Sequence, residues 1–493
     1  MRAINGLIKS NIVYAIGSAA NSAALFLLIP YLVNTLTPVE YGAWAILEVM
    51  IMLLHLLMLL GMDVGMMREY WFLGDDQERK RLVGSVLVAV VLLGGLISVF
   101  LVTAYLLLGD LPMLHTWLDD FPPASLLLVI LISLVEAVFT IFLSIFRIRE
   151  EAALYVVVSV GRMFVFLGAA IAGVQILGGL NGALMGRMVA GILATLVALI
   201  LARKQISLAF KKTWLRKVLN YGLPLAPTAL ASYILFASDR YVLKYFSTIE
   251  IVAIYTFAYK VAATLDIMVN RPYSIDWAAR RFKISTEQEA GKKFGEALEF
   301  YLFAAGGFSL VVMALTPLVY TWIAPLPYWA GKDIVPIILL AYMIYGVSYP
   351  LNVGIMLKDR TSILPVIGWI AALTCLFLNF WLIPQYNMTG AAWATVLAYL
   401  VWTGGITWVS LRLYPIAYPL RELALILLAI LAGGLGIVLI ESLWDTHRII
   451  LSSAIKLGWV IILFGGCGYL LIGRRAGGAP LSLGKPGGAG SKQ

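Results

Sequence analysis

Residues 82–108 read LVGSVLVAVVLLGGLISVFLVTAYLLL, a run of 27 residues without a charged side chain. At 1.5 Å per residue, a helix of this length is about 40 Å long and exceeds the ~30 Å hydrocarbon core of a bilayer. A transmembrane β-strand would instead alternate polar and apolar residues over about ten positions. The run therefore predicts a membrane-spanning helix, which satisfies its own backbone polar groups.

Similar apolar runs cover nearly all of the 493 residues. Apolar residues make up 62% of the chain and charged residues only 13%, about half of the ~25% usual in soluble domains. This composition excludes a soluble or disordered protein and predicts an all-α integral membrane protein of about 14 transmembrane helices. The expected spans lie near 10–34, 41–61, 82–108, 124–146, 152–174, 177–202, 220–238, 249–270, 295–318, 333–357, 361–384, 388–411, 420–440 and 449–473.

The distribution of basic residues predicts the orientation of the chain. Of the 36 Lys and Arg residues, 28 lie at the termini or in even-numbered connections between the expected spans. The odd-numbered connections hold only Arg240, Lys244, Lys332 and Arg448. The positive-inside rule therefore predicts that both termini are cytoplasmic. The net charge of +10 is thus mostly a topological signal, and nucleic acid is not an expected partner.

Several classes of chemistry have no support in the sequence. Cys375 and Cys467 lie in apolar segments without ligand spacing, so neither a metal site nor a cofactor is expected. The chain has no P-loop pattern, so ATP is not the expected direct energy source. Asp119 and Asp120 could imitate a metal-binding pair, but the odd-numbered connections are too short for a folded catalytic domain. We therefore expect no catalytic residues and no enzyme.

The chain resembles itself at an offset of about 210 residues. The segment 37–44 matches 248–255 at an offset of 211, and 181–183 matches 389–391 at an offset of 208. Two matches with one offset predict two parallel six-helix lobes with a cavity between them. The expected parts are an N-lobe (1–202), a cytoplasmic amphipathic linker (203–219), a C-lobe (220–413), two further spans (414–473) and a disordered cytoplasmic tail (474–493).

Three basic residues lie near the middle of expected spans. Arg162 and Arg187 are each ten residues into a span and Lys260 eleven, which places them roughly 15 Å deep. A charge there costs at least ~2.5–3.5 kcal/mol on insertion scales, so it faces a bundle interior or an aqueous cavity. We hypothesise that Arg162, Arg187 and Lys260 form a cationic cavity for a diphosphate or an acidic glycan.

Three acidic residues, Glu48, Glu136 and Asp266, also lie inside apolar runs. Two interpretations are open for them. They could pair permanently with the three basic residues and have a structural role only. Alternatively, one of them could carry a proton and couple transport to an ion gradient.

Four short motifs connect the sequence to a known family. They are Leu36-Thr37-Pro38-Val39-Glu40-Tyr41-Gly42, Tyr221-Gly222-Leu223-Pro224-Leu225, Ser238-Asp239-Arg240-Tyr241-Val242-Leu243-Lys244-Tyr245-Phe246 and Ala258-Tyr259-Lys260. With these motifs the chain resembles the polysaccharide-transport flippases, including O-antigen flippases, of the superfamily shared with multidrug and toxin extrusion transporters. The resemblance covers residues 1 to about 473, although Ser247 and Thr248 stand where the family often has Gly-Pro.

The resemblance implies a function for the expected cavity. It implies a V-shaped bacterial inner-membrane protein that moves an undecaprenyl-pyrophosphate-linked oligosaccharide to the periplasmic leaflet by alternating access. The product would serve the synthesis of a surface polysaccharide such as O-antigen, lipopolysaccharide or exopolysaccharide. Implied partners are membrane lipids and, in the same process, a polysaccharide polymerase and chain-length machinery.

Two points stay open at this stage. A cation-coupled exporter of drugs or other small molecules shares the architecture, although basic midplane residues favour an anionic substrate. The family pattern also marks Asp239 and Arg240 as candidate cavity residues. They stand at the expected outer end of the seventh span, where an arginine could instead snorkel to the membrane interface.

Overall fold

A computed structural model of the protein describes residues 27–109, 111, 118–207, 209–443 and 449–477. The described residues are helical nearly throughout and contain no β-strand. Helix α1 covers 27–35 of the described part. The others are α2 (Pro38–Leu59), α3 (Met62–Trp71), α4 (Asp76–Leu108), α5 (Pro123–Ile148), α6 (Ala152–Leu177), α7 (Gly179–Ala202), α8 (Lys212–Gly222), α9 (Ala226–Phe246), α10 (Ile249–Ala262), α11 (Arg271–Ser285), α12 (Ala290–Ile323), α13 (Val335–Leu351), α14 (Val353–Leu357), α15 (Ile363–Leu413), α16 (Leu420–Leu443) and α17 (Ile449–Gly477).

The described part contains 12 helical segments that are long and apolar enough to cross a membrane. One of them, α15, has 51 residues and would be about 77 Å long if straight, more than twice the thickness of the hydrocarbon core. Its backbone is non-helical at Asn387, where two helices join, so α15 supplies two crossings. The first expected span lies mostly outside the described residues, as do residues 478–493 of the expected tail. The protein is thus an all-helical, multi-pass membrane protein, as predicted.

Helix α2 begins with a complete capping box. The side chain of Thr37 accepts a hydrogen bond from the backbone N–H of Glu40, and Glu40 Oε2 accepts one from the N–H of Thr37 at 2.9 Å. The other carboxylate oxygen of Glu40 accepts from the N–H of Leu180 at 3.3 Å, which joins the start of α2 to the start of α7. Pro38 occupies the first turn, where no N–H is needed. One short motif therefore both starts a helix and fixes its neighbour.

The structure agrees with the internal repeat at the points where helices begin and break. Helix α2 begins at Pro38 and α10 at Ile249, 211 residues later. The break between α6 and α7 falls at Gly178, and the break within α15 falls at Asn387, 209 residues later. We refer to residues up to 202 as the N-terminal half and to 226–413 as the C-terminal half.

The two halves meet where α2 and α10 begin. A Cβ atom on Gly42 would stand 2.1 Å from the carbonyl oxygen of Ile249, so only a hydrogen atom fits between the two backbones. The rings of Tyr41 and Tyr328 meet edge to face beside this contact, with centroids 5.8 Å apart. Lys244 forms an ion pair with Asp120 of the N-terminal half, and Asn34 donates to the carbonyl of Ile323 at 2.7 Å. We call this end of the interface the closed end.

Several helices extend beyond the apolar runs that predicted them. The expected span 249–270 becomes α10, a π-helical segment over Asp266–Asn270, and the polar helix α11, which ends at Ser285. The hydropathy of the sequence identifies only the part of a helix that can contact lipid. The hydrogen-bonded helical backbone can continue beyond that part into polar sequence. The expected end of the seventh span at 238 is wrong for the same reason, because α9 continues to Phe246.

Helix α8 is strongly amphipathic, lies within the sequence that links the two halves, and packs on the N-terminal half. Glu78 at the start of α4 accepts hydrogen bonds from Trp214 Nε1 at 2.8 Å and from the Lys211 ammonium at 3.0 Å. Gly222 packs backbone to backbone against Gly61, where an added Cβ would approach a carbonyl oxygen to 2.2 Å. The 3₁₀ turn Leu223–Leu225 then leads into α9.

Candidate functional site

A cavity of about 670 Å³ lies between the two halves. This volume falls within the ~300–1,000 Å³ typical of small-molecule sites. Helices α2, α5 and α7 line it from the N-terminal half, and α9, α10, α13 and α15 from the C-terminal half. Its charged lining residues, among those that the structure describes, are Glu48, Glu136, Arg187, Arg240, Lys260, Asp266 and Arg271.

The cavity lies away from the closed end. Helix α2 starts at the closed end, and its lining residues fall between Glu48 and His55, in the second half of the helix. The lining residues of α10 begin at Thr256, and the lining continues through the π-helical segment to Arg271, again distant from the start of α10. The cavity is therefore displaced from the middle of the interface toward the end that carries α8. Packed helices separate it from the closed end.

Glu136 is shared by two arginines on different helices. Its Oε1 atom lies 2.8 Å from Nη2 of Arg162 on α6 and 2.9 Å from Nη2 of Arg187 on α7. The guanidinium of Arg162 also stacks over the ring of Phe139, 4.7 Å from its centroid. Arg187 lines the cavity, and its Nη1 atom is buried without a hydrogen-bond partner. The structure brings Arg162 and Arg187 together on one carboxylate, but only Arg187 lines the cavity.

Lys260 and Glu48 form an ion pair that joins the two halves across the cavity. The Lys260 ammonium donates to Glu48 Oε2 at 2.9 Å, and both side chains are about one-fifth exposed. The two residues are 212 positions apart, close to the offset of the repeat. Residues at matching places in two copies of a unit meet near the axis that relates the copies. This explains why α2 and α10 supply the two partners.

Asp239 and Arg240 are buried inside the protein, 3% and 4% exposed, in the part of α9 that continues past the expected end of the seventh span. Arg240 donates to Asp239 Oδ1 at 3.0 Å and to the carbonyl of Phe236 at 2.9 Å. Its guanidinium stacks over the ring of Tyr259, 4.5 Å from the centroid. The other carboxylate oxygen of Asp239 accepts from the hydroxyl of Tyr255 at 2.7 Å. Arg240 lines the cavity, and Asp239 holds it there.

Asp266 pairs with Arg271 rather than with any midplane cation. Arg271 Nε lies 2.8 Å from Asp266 Oδ2; Asp266 is the first residue of the π-helical segment, and Arg271 follows its last residue. A π-helical turn adds one residue to the spacing, so side chains five positions apart can meet. Sequence reasoning placed Arg271 in a cytoplasmic connection and missed it as a lining residue. The signal that could have found it is the charge pair Asp266 and Arg271 at the end of an apolar run.

His55 also lines the cavity. Its Nε2 atom lies 2.9 Å from the Thr140 hydroxyl, which in turn donates to the backbone carbonyl of Glu136. The three residues connect α2 to α5 by a short chain of hydrogen bonds that ends at Glu136, the partner of the two arginines. Within the described part of the chain, no group of three or more His, Cys, Asp or Glu side chains has the arrangement of a metal site.

The cavity combines fixed charge with unused hydrogen-bond donors. Its lining includes four basic and three acidic side chains among the described residues, so positive charge is in slight excess. Most of these charges are paired, which holds their side chains in place. Arg187 keeps a free N–H group, and a guanidinium offers planar donors that suit a phosphate or carboxylate. An anionic group of a substrate is the ligand that this arrangement suits best.

The fold is that of membrane transporters. The lipid II flippase MurJ in an inward closed conformation is similar over 94% of this chain and 100% of its own, with a TM-score of 0.73 and 14% identity. A transporter of the MOP superfamily from Pyrococcus furiosus, described as having a binding pocket of reverse polarity, is 15% identical over 82% of this chain and 95% of its own, with a TM-score of 0.57. An outward-facing multidrug resistance MATE transporter of that superfamily gives a TM-score of 0.55 and 14% identity over 82% of this chain and 95% of its own.

The sequence assigns the chain to a family within this class. The profile of the polysaccharide biosynthesis protein family matches residues 7–275, more than half of the chain. The chain therefore belongs to the polysaccharide biosynthesis protein family. No curated protein sequence matches it significantly.

Proposed function

We propose that this protein is a flippase that moves an undecaprenyl-pyrophosphate-linked oligosaccharide from the cytoplasmic to the periplasmic leaflet of the bacterial inner membrane. The transported glycan serves the synthesis of a surface polysaccharide. The polysaccharide biosynthesis family and the transporter fold support the general class, a membrane transporter of lipid-linked sugars.

One observation carries the proposal. Arg187 lines the cavity with a buried N–H group that has no acceptor, and Lys260 and Arg240 line it from the opposite half. A buried donor without a partner costs about 1–3 kcal/mol, which a bound anion would recover. The diphosphate of a lipid-linked sugar supplies such acceptors. The ion pairs with Glu136, Glu48 and Asp239 position the basic groups without neutralising all their donors.

The positive-inside rule sets the direction of transport in this proposal. It places the end that carries α8 in the cytoplasm and the closed end toward the periplasm. The cavity then faces the leaflet on which lipid-linked sugars are assembled. Transport requires the closed end to open, and the contacts of Gly42 and of the Lys244–Asp120 pair must break in that step.

Deleting the gene in its host and identifying the lipid-linked sugar that accumulates on the cytoplasmic leaflet tests the proposal. We expect one undecaprenyl-pyrophosphate-linked oligosaccharide to accumulate and the matching surface polysaccharide to be lost. Both effects should be reversed by the parent gene. A deletion strain with normal lipid-linked sugars and normal surface polysaccharide would contradict the proposal.

The alternative function, a cation-coupled exporter of small molecules, has one observation in its favour. Glu48, Glu136 and Asp266 line the same cavity, and carboxylates can bind a cation or carry a proton. Each is paired with a basic side chain, which leaves less capacity for a cationic substrate. If the deletion changes drug sensitivity alone, the exporter function replaces the flippase.

A further inference from the structure

The aromatic residues of the cavity all belong to one side of it. Among the described lining residues, every Phe, Tyr and Trp comes from the C-terminal half, and the N-terminal half contributes none. The N-terminal half instead supplies Glu48, Glu136, Arg187 and His55 with two aliphatic residues and one methionine. We call the aromatic side, on α9, α10, α13 and α15, the aromatic wall. Its members are Phe236, Tyr259, Tyr342, Tyr345, Tyr349, Tyr399 and Trp402.

The rings of the aromatic wall form a packed platform rather than a scatter of side chains. Tyr345 is the centre of this platform. The centroid of its ring lies 5.0 Å from that of Tyr399, 5.8 Å from that of Tyr349 and 6.3 Å from that of Trp402. The ring planes of Tyr345 and Trp402 are only 27° apart, so these two rings stack. Rings fixed in this way present a rigid surface to a ligand at little entropic cost.

Trp402 carries a second independent observation. Its Nε1 atom is buried and has no hydrogen-bond partner, although buried indole N–H groups usually have one. An indole nitrogen donates only, so the missing partner is an acceptor atom. The donor stands on the aromatic wall, whereas the unpartnered N–H of Arg187 stands on the opposite half. Each half therefore contributes one cavity-lining residue that carries a buried donor without an acceptor.

A pyranose ring meets both requirements of the aromatic wall. Its axial C–H bonds carry slight positive charge and pack against the electron-rich face of an aromatic ring. Its hydroxyl and ring oxygens accept hydrogen bonds, as Trp402 Nε1 requires. A prenyl chain would satisfy the rings but not the indole donor. A sugar is thus the ligand chemistry that explains the platform and the free N–H together.

We propose that the aromatic wall is a carbohydrate subsite, in which Tyr345 and Trp402 hold the first sugar while Arg187 and Lys260 face the diphosphate. This inference rests on the proposed flippase function and adds a division of labour between two sets of side chains. Arg187 of the N-terminal half and Lys260 of the C-terminal half recognise the charge that every lipid-linked sugar carries. The aromatic wall recognises the sugar and sets which glycan is accepted.

Binding to the purified full-length protein in nanodiscs tests this subsite with two defined lipids. One is undecaprenyl pyrophosphate, which has no sugar, and the other is undecaprenyl-pyrophosphoryl-N-acetylglucosamine, which has one. We expect the sugar to tighten binding by about fivefold or more in the parent, the value of one neutral hydrogen bond. Trp402→Leu and Tyr345→Leu should abolish this gain without changing the affinity for undecaprenyl pyrophosphate by more than about twofold.

Two further variants make the test decisive. Trp402→Phe keeps an aromatic ring but loses the indole N–H, so it should retain only part of the gain in affinity that the sugar provides. Because it preserves the packing, it also tests the subsite if the leucine variants fold poorly. Trp381→Leu is the matched control, because Trp381 lies on α15 before its break at Asn387, is 57% exposed and does not line the cavity. It should leave both affinities unchanged.

The outcomes separate the subsite from the flippase function. An equal gain from the sugar in the parent and in Trp402→Phe and Trp402→Leu would overturn the subsite, as would the absence of any gain in the parent. Equal weakening of both lipids in Trp402→Leu would also overturn it and assign the wall to the prenyl chain. In these cases binding of undecaprenyl pyrophosphate still supports the flippase. If neither lipid binds the parent, both proposals fail.

Discussion

At the scale of single residues, the carboxylate of Glu136 holds two arginine side chains in place. It holds Arg162 and Arg187 at 2.8 and 2.9 Å, yet the two guanidiniums have different surroundings. Arg162 stacks on Phe139, whereas Arg187 lines the cavity with a free N–H. The same carboxylate therefore anchors one arginine that packs on an aromatic ring and one that lines the cavity and has a buried, unpaired donor.

This difference predicts different results for two equivalent substitutions. Arg187→Ala should lower the rate of flipping about tenfold or more, because a charged group loses a hydrogen bond to the substrate anion. Arg162→Ala should leave the rate per folded molecule within about twofold and instead lower the melting temperature. Flipping of a lipid-linked sugar in proteoliposomes, with protein amount controlled, measures both. Equal loss of flipping in the two variants would contradict this assignment.

The Glu48–Lys260 pair allows a test by exchange of charge. Either Glu48→Lys or Lys260→Glu alone places like charges together inside the membrane and should lower protein abundance strongly. The double variant restores an opposite pair and should recover abundance. Transport by the double variant then reports whether Lys260 also binds substrate. Full recovery of transport would show that the pair has a structural role only.

The depth of these residues could be predicted from the sequence, but their partners could not. Arg162, Arg187 and Lys260 stood out because a charge inside an apolar run is costly. Their partners lie 26, 51 and 212 positions away, so pairing depends on how helices pack. Arg271 was missed because it follows an apolar run, where a basic residue usually marks a membrane boundary.

At the scale of helices, the contact between α2 and α10 is the tightest restraint at the closed end. Gly42 allows the backbone of α2 to touch the carbonyl of Ile249. The sequence predicted both helices and their matching starts from the repeat. It did not predict the contact, because a glycine in an apolar helix has many possible reasons.

A larger residue at position 42 should force the closed end apart. In a Ser232→Cys background, which puts a thiol in the cavity, we expect Gly42→Leu to decrease labelling by an impermeant maleimide from the cytoplasmic side and increase it from the periplasmic side. Gly95→Leu is the control, because nothing lies within 4 Å of a Cβ at Gly95. Unchanged labelling in Gly42→Leu would show that the contact does not hold the closed end.

At the scale of the whole molecule, the apolar runs predicted most of the fold. The expected spans agree with the helices wherever lipid-facing sequence continues to the helix end, as in α6 and α7. They fall short where a helix continues into polar sequence, as in α11. The expected break between 384 and 388 agrees with the non-helical backbone at Asn387 in α15. The aromatic wall was not predicted, since aromatic residues from four helices converge only in the folded protein.

The position of the cavity predicts one-sided access. With the orientation expected from the basic residues, Ser232→Cys should react with an impermeant maleimide in inside-out vesicles and not in right-side-out vesicles. Cys375 and Cys467 are buried and should contribute little background. Undecaprenyl pyrophosphate should slow the reaction by occupying the cavity. Faster labelling in right-side-out vesicles would contradict the prediction. It would mean either that the chain has the opposite orientation in the membrane or that the cavity of the resting protein opens to the periplasm.

The packing of Gly222 on Gly61 determines where the two halves can turn. Because α8 is held against α3 and α4 by this contact and by Glu78, it moves as a part of the N-terminal half, although it follows that half in sequence. Any relative rotation must then be absorbed immediately after it, in the 3₁₀ turn Leu223–Leu225 that contains Pro224. The segment that joins the halves is therefore a rigid helix with a single hinge at its C-terminal end, and not a flexible linker.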